Sequence, residues 1–538
     1  MSDLRAQDEI APPPAIKPPD RPWFMQPRLR VLLPFVLLTA IFLLQWSLLM
    51  NISGPTWDAA FYYSYARSLA FDQDLSLAND LQLSYLTASP DFVARQLHAN
   101  LTATGSVYAP FAIGSGMLWL PFLLLLRLSG AVVGAAPNTG FEWYIVAPVA
   151  TLSALTGLIS FFLAYRLTAR EAGRGVALLS AATVSLASPL IYYQFREPLY
   201  AHVPSLLLNT IFLFAWWRTY RQVPSVQHGL LLGALLGLAA LMRWQNAIYG
   251  VLPLVSAGWA WSRTTQPHQR QSLRALLLFL VALGATFLVV FSPQLLVWRL
   301  HYGSWLTIPQ GGDFMTWRSP FLRQLLFSPF RGLLPWMPIY GLGVVGLVLQ
   351  LRRKPRLVVP LIVLLALSTY VNASSRDWFA GGGYGPRRSA GELAIIVLGY
   401  AWMLRWLPER LRLPLGISSG ALLALHQWLL LRFALVERIG GRVLSMAPNF
   451  EWAETTLREF VVQLASHLPD VVHDPVDVFI FPASPLQRLL QEGRLPRMHL
   501  FSLLVAAAFL TVCLLLADQL SRRWFPRLKK KAAQVSPT

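Results

Sequence analysis

Apolar runs of about 20 residues, the length that spans a bilayer core, recur from end to end of this 538-residue chain. The clearest lie at 31–50, 273–297, 413–431 and 499–520. Short polar stretches rich in Arg separate them, and the core of a soluble protein does not explain so many. The pattern predicts crossings near 31–50, 143–165, 174–193, 202–221, 228–243, 245–261, 273–297, 335–351, 356–372, 391–407, 413–432 and 499–520, about 12 in all. The stretch 107–128 is also apolar, but Pro110, Gly114, Gly116 and Pro121 interrupt it. That predicts a re-entrant or broken path there instead of a simple crossing. The first run follows some 30 polar, proline-rich residues with no cleavage-site pattern after Met50, which predicts a retained anchor.

Charge gives the pattern a direction, because short cytoplasmic loops carry an excess of Lys and Arg. Such clusters occur at Arg166, Arg170 and Arg174; at Arg218 and Arg221; at Arg263, Arg270 and Arg274; at Arg352, Arg353, Lys354 and Arg356; and at Arg405, Arg410 and Arg412. The strongest is the tail, with Arg522, Arg523, Arg527, Lys529, Lys530 and Lys531. Both ends are thereby predicted to be cytoplasmic, in a multi-pass cell-membrane protein of bacterial inner-membrane type. The outer segments are then 51–106, 194–201, the pair 298–334 and 373–390, and 433–498. The predicted organisation is a cytoplasmic tail 1–30, a membrane module 31–432, an extracytoplasmic region 433–498, and a last crossing with its basic tail at 499–538.

Composition narrows the function. The chain is 55% hydrophobic and 13% charged, and its net charge of +20 sits mostly at the ends of apolar runs. That is an orienting signal, so nucleic-acid binding is excluded. The single cysteine, Cys513, lies inside the last run, which excludes an intrachain disulfide and a cysteine-built metal site. No outer segment reaches the size of an ordinary domain. Paired interrupted helices in two matching halves, the mark of many transporters, are absent from the pattern.

Candidate chemistry concentrates in the outer segments. Read as a helix, the stretch after Trp57 puts Asp58 on one face with Phe61, Tyr62, Tyr65 and Leu69, at the head of an aromatic stripe on the membrane surface. Asp58 then either caps this helix or acts as an acid–base group. Asp72, Asp74 and Asp80 read as solvated loop acids.

The stretch WDAAFYYSYARSLAFDQDLSLAND resembles the first extracytoplasmic loop of the GT-C superfamily of polytopic glycosyltransferases, in the branch similar to protein mannosyltransferases and aminoarabinose lipid A transferases. The residues that carry the likeness are Asp58, Tyr62, Ala66, Ser68, Leu69, Asp74, Leu75, Asn79 and Asp80. The Asp-Glu pair of many members is absent, since Ala59 follows Asp58. SPLIYYQFREPLYAHVPSLLL, LAALMRWQNAIYGVLP, LFSPFRGLLPWMPIYGLGVVGL and WFAGGGYGPRR extend the resemblance over most of the first 400 residues. It implies an all-α GT-C-like bundle with juxtamembrane helices, and an inverting hexosyl- or pentosyltransferase. The donor implied is a polyprenyl-phosphate sugar, and the acceptor is a hydroxyl on a glycan, lipid or protein at the outer face. Asp58 is then the base; no cofactor is called for, and although two carboxylates and a histidine could bind a divalent metal, the resemblance does not require one.

A departing phosphate needs positive charge, which Arg supplies as a fork of donors. Arg243, Arg331, Arg376, Arg387 and Arg388 offer it on the outer side, the last two in a glycine-rich loop entering a membrane helix. The competing reading is arginines snorkelling to lipid headgroups, with Arg243 at a hairpin tip. Glu197 and His202, in the turn 194–202, face Asp58 if the resemblance holds; an Arg196–Glu197 anchor at the interface is the alternative. A lipid or solute transporter, or a non-catalytic scaffold of the same fold, would carry the same buried charges.

Overall fold

The computed structural model describes residues 29–408 apart from 53, 56–57, 85–96, 99, 133–138, 263–268, 329–330 and 382, single residues and short pieces between 410 and 426, and 484–504 apart from 496, 498 and 503. The tails, Cys513 and most of 433–498 lie outside the described residues. The described chain is helical, with two isolated bridges, Leu101 with Val107 and Met315 with Ser375, and no sheet.

The helices run as α1 Leu29–Leu49, α2 Asp58–Arg67, α3 Ala78–Ser84, α4 Gly114–Val132, α5 Trp143–Ala172, α6 Arg174–Leu186, α7 His202–Thr219 and α8 Val226–Met242. Then come α9 Val251–Ser262, α10 Gln269–Tyr302, α11 Leu322–Phe327, α12 Leu333–Trp336, α13 Pro338–Gln350, α14 Pro355–Ala373, α15 Leu393–Trp406 and α16 Pro485–Glu492. Sequence signals set several of their starts. Ser225 caps α8 by accepting from the His228 amide at 3.3 Å. Pro338 and Pro355 open α13 and α14, where a missing amide costs nothing.

Three described helices, Trp143–Ala172, Leu273–Tyr302 and Pro355–Ala373, are long and apolar enough to cross a membrane, and five shorter apolar helices accompany them. The protein is a multi-pass membrane protein, but the described residues do not carry the full count of about 12 crossings. The expected crossings 413–432 and 499–520 lie mostly outside the described residues, and several others are divided. The run 174–193 becomes the 13-residue α6, a bend and a π-turn, Tyr192–Arg196. A helix of that length spans only about 20 Å. The run 245–261 begins as a 3-10 turn, Trp244–Gly250, before α9. The helices also differ in role. The most apolar part of α5 is 94% buried and that of α10 only 17%, so α5 is a central pillar and α10 a lipid-facing wall.

The expectation of a broken path at 107–128 is corrected from Gly114 onward, while 107–113 is irregular. Gly114–Val132 is one continuous helix that passes through Pro121. Its glycines are contact points, not breaks: a Cβ on Gly116 would meet Tyr65 Cβ at 2.8 Å, so α4 lies directly on α2. The same device joins α8 to α10. Gly229, Gly233 and Gly237 line one face of α8, and a Cβ on any of them would run into the backbone or side chains of Phe279, Leu283 or Val290. Gly233→Leu is therefore expected to push these helices apart. A fall in thermal stability and in yield of folded protein in detergent checks it; an unchanged melting temperature would refute the close contact.

The outward assignment of 51–106 rests on the basic inner loops. Reporters fused at Thr538 and within 352–356 are expected to read cytoplasmic, and those near Asp80 and Pro469 outside. A cytoplasmic signal at Asp80 would put the candidate site on the wrong face.

Candidate active site

The first outer segment is more deeply built in than its sequence predicts. Every residue from Ala59 to Arg67 of α2 is buried, so the helix is not a surface stripe. Aromatic side chains all around it pack inward: Phe61 and Tyr62 both meet Phe111, with ring centroids 5.3 and 5.0 Å apart, and the Tyr63 hydroxyl donates to the Gly140 carbonyl at 2.6 Å. The expectation for Asp80 is corrected as well. Its side chain is fully buried and accepts from Arg67 at 3.1 Å, while Arg67 also pairs with Asp72 and donates to the Thr139 carbonyl at 2.8 Å. Burial pushes the Asp80 carboxyl up to about 7 against the pull of Arg67. Asp74 stays exposed and accepts from Ser68 Oγ at 2.6 Å. This cluster fixes the far end of α2 and leaves Asp58, its first residue, at the open end.

Asp58 Oδ2 accepts a hydrogen bond from Arg387 Nη1 at 2.7 Å, across 329 positions of sequence. The Asp58 side chain is 27% exposed and that of Arg387 13%, so the pair is enclosed yet reachable. Arg387 also lies over the rings of Tyr193 and Tyr200, at 6.0 and 5.5 Å from their centroids. Burial alone would lower its pKa; Asp58, Tyr193, Tyr200 and the bond to Asp58 outweigh that and hold it well above an ordinary arginine.

The loop carrying Arg387 is locked from behind. Arg331, almost wholly buried, donates to the carbonyls of Phe379, at 3.2 Å, and Gly381. Asp377 accepts from the Gly381 amide at 2.8 Å and from Arg388 at 2.9 Å, and Arg388 also bonds Ser375 Oγ. Ala380 is held at φ 61°, a conformation a non-glycine residue adopts only under constraint. Arg331 is thus a brace, and Arg388 is bound into its own loop. Burial lowers the Arg388 pKa to about 10; Asp377 opposes this, while Arg387 and Arg243 add to it. Arginines that depress one another make a region that favours an anion.

Arg243 caps the C-terminal end of α8, and its Nη1 lies 3.2 Å from His202 Nδ1. A guanidinium can only donate, so Nδ1 accepts and the His202 proton sits on Nε2. His202 in turn stacks on Tyr200, with centroids 6.1 Å apart and planes 17° from parallel, and meets Tyr193 at 4.7 Å. Tyr193 donates to the Tyr384 carbonyl at 3.0 Å, which ties this turn to the glycine-rich loop. The Tyr200 hydroxyl is pushed up by burial first and then by Asp58 and Glu197. Tyr62 is pushed up to about 12, chiefly by burial, with Arg243, Asp58 and Arg387 all acting on it.

Of the sequence candidates, Asp58, Tyr62, His202, Arg243, Arg387 and Arg388 come together, while Glu197 lies in the neighbouring turn, where its carbonyl accepts from the Tyr200 amide at 3.2 Å. Arg376 does not join them: it is exposed and pairs with no carboxylate among the described residues. Among the described residues no group of three or more His, Cys, Asp or Glu could hold a metal ion. Residues missed from sequence are Tyr193, Tyr200, Asp377 and Glu392. Glu392 had a readable signal, a lone carboxylate at the head of an apolar run. The tyrosines had none, being two aromatics among many.

No protein-family model matches the chain, and no curated protein does. Solved structures similar to it include ArnT from Cupriavidus metallidurans bound to undecaprenyl phosphate, at 13% identity and a TM-score of 0.46 over 89% of this chain and 75% of that one. The apo state of the same protein matches at 14% identity and 0.44, over 88% and 76% of the two chains. An Archaeoglobus fulgidus oligosaccharyltransferase, in complex with Zn and sulfate, matches at 11% and 0.42, over 85% and 57%. At these identities and scores the similarities assign neither a site nor an activity.

Proposed function

We propose that this protein is an inverting glycosyltransferase that moves a sugar from a polyprenyl-phosphate donor to an acceptor hydroxyl at the outer membrane face. The observation that carries the reading is the contact of Asp58 with Arg387, which sets a carboxylate beside buried arginines at the helix ends that the basic loops predict to face outward. The motif resemblance in the first outer loop supports it independently.

In this reading Asp58 accepts the proton of the acceptor hydroxyl as its oxygen bonds to the anomeric carbon. The bond from that carbon to the phosphate oxygen breaks, and the electron pair leaves with the lipid phosphate. Arg387 spends one N–H on Asp58 and keeps others for a phosphate oxygen, so one planar group spans base and leaving group. Arg243 supplies a second cation, oriented by His202. Arg388 and Arg331 keep the loop in shape. Tyr62, Tyr193 and Tyr200 wall the site and exclude water, which strengthens these charge interactions. Glu197 stands with Tyr200 at the rim, where it can hydrogen-bond a sugar or acceptor hydroxyl.

The test is direct: the purified protein, given polyprenyl-phosphate sugars and cell-envelope acceptors, should yield a glycosylated acceptor and free lipid phosphate. Comparing envelope glycans with and without the gene identifies sugar and acceptor. Movement of lipid across vesicles without transfer would replace this reading with the transporter; neither activity would leave the scaffold.

A further inference from the structure

Asp58 answers Arg387 and Asp377 answers Arg388 at ion-pair distance, but Arg243 has no carboxylate within that distance among the described residues. The carboxylate that acts on it most strongly is Glu392. Glu392 ends the 3-10 turn Arg387–Glu392 and is buried, with 4% of its surface exposed. Ser368 Oγ donates to its Oε1 at 2.5 Å, while Oε2, also buried, has no hydrogen-bond partner. A carboxylate bonded on one side only keeps much of its field for its surroundings.

The turn holding Glu392 is clamped to the turn that Arg243 begins. Asn209 Nδ2 reaches the Gly391 carbonyl at 3.4 Å and Asn246 Oδ1 at 3.2 Å, and the Tyr249 hydroxyl donates to the same carbonyl at 2.7 Å. Asn246 donates in turn to Ser205 Oγ at 2.7 Å, on α7 one turn beyond His202. Glu392 and Arg243 thus sit on two short segments held in fixed relation, opposite in charge and not in contact. Arg243 gives one N–H to His202 and keeps the others for a ligand; burial raises the Glu392 pKa, Ser368 and Arg243 pull it back, and Glu392 in its charged form opposes whatever anion Arg243 binds.

On the proposed reaction this opposition changes with progress. The donor is a phosphodiester with one negative charge, and cleavage of the sugar–oxygen bond leaves a monoester that carries up to two. We propose that Glu392 is a positioning residue that tunes Arg243, weakening the hold of the arginine cluster on the lipid monophosphate so that the product departs. This rests on the glycosyl-transfer reading.

The test compares Glu392→Gln with wild type in binding of a short-chain polyprenyl monophosphate in detergent, and in inhibition of transfer by it. Glu392→Gln is expected to bind the monophosphate roughly tenfold more tightly, as removal of one buried charge nearby implies. Inhibition should strengthen by the same factor, which loss of folding does not produce, and kcat should fall without a rise in donor KM. Glu392→Asp, which restores the charge, should return the affinity toward wild type. In the double variant with Arg243→Gln the gain should vanish. If Glu392→Gln does not fold, Ser368→Ala takes its place: it removes a hydrogen bond that holds Glu392 in its charged form against burial, so monophosphate binding should tighten, and an affinity at or below wild type overturns the proposal. Wild type that binds the monophosphate while Glu392→Gln binds it equally well overturns the role of Glu392 alone. Wild type that binds no polyprenyl monophosphate overturns the glycosyl-transfer reading beneath it.

Discussion

Asp58→Asn is expected to insert and fold while its transfer rate falls by about 10² or more, the usual contribution of a general base. Asn keeps the size of the side chain and caps a helix about as well as Asp, but it cannot take a proton. Its amide oxygen can still accept the hydrogen bond that Asp58 accepts from Arg387, so the loop is not cut free. If Asp58 serves only the helix start, Asn is nearly silent and Asp58→Ala costs about 1 kcal/mol of stability. Turnover of both purified variants, read beside their melting temperatures, separates the cases. A fully active Asn variant removes Asp58 from the mechanism and leaves the enzyme reading to the motif resemblance.

The second large effect is expected at Arg387. Arg387→Ala removes the group proposed to span base and phosphate, and loss of a preorganised donor to a developing anion costs roughly a hundredfold or more in rate. Arg387→Lys should recover only part of this, because a single ammonium cannot reach both partners as the planar fork does. In a double-mutant cycle with Asp58→Asn the two losses should fall well short of adding, since the groups act as a unit. Arg388→Ala should also lower transfer severely, but by another route. Its bonds run to Asp377 and Ser375 within the loop, so the loss should come with a lower melting temperature. Near wild-type rates in both Ala variants would return these arginines to headgroup anchoring.

Much of the scaffold was readable before folding was considered. A bilayer fixes the length of an apolar run, so α1, α5, α10 and α14 stand close to where the hydrophobic pattern puts them. The interruptions were harder. Gly114, Gly116 and Pro121 read as breaks in α4, yet two of the three are places where another helix comes close, and a linear pattern does not distinguish a glycine that bends a chain from one that admits a neighbour. Asp80, in the polar stretch FDQDLSLAND, read as solvated for the same kind of reason. Its burial is set by Arg67, thirteen residues away on another helix.

Hydrophobic length and local charge were enough to read a helical membrane protein, the side its basic loops predict it to face, and the residue types gathered in its predicted outer segments. Both length and charge act over a few turns of chain. Which charges meet follows from the packing: Asp58 with Arg387, Arg243 with His202, Arg331 with its own glycine-rich loop, and the turn of Glu392 clamped to the turn that Arg243 begins. Residues hundreds of positions apart become partners through the packing of whole helices. In a low-dielectric interior a displacement of a few ångströms decides whether an arginine is a brace, an ion-pair partner or a ligand donor.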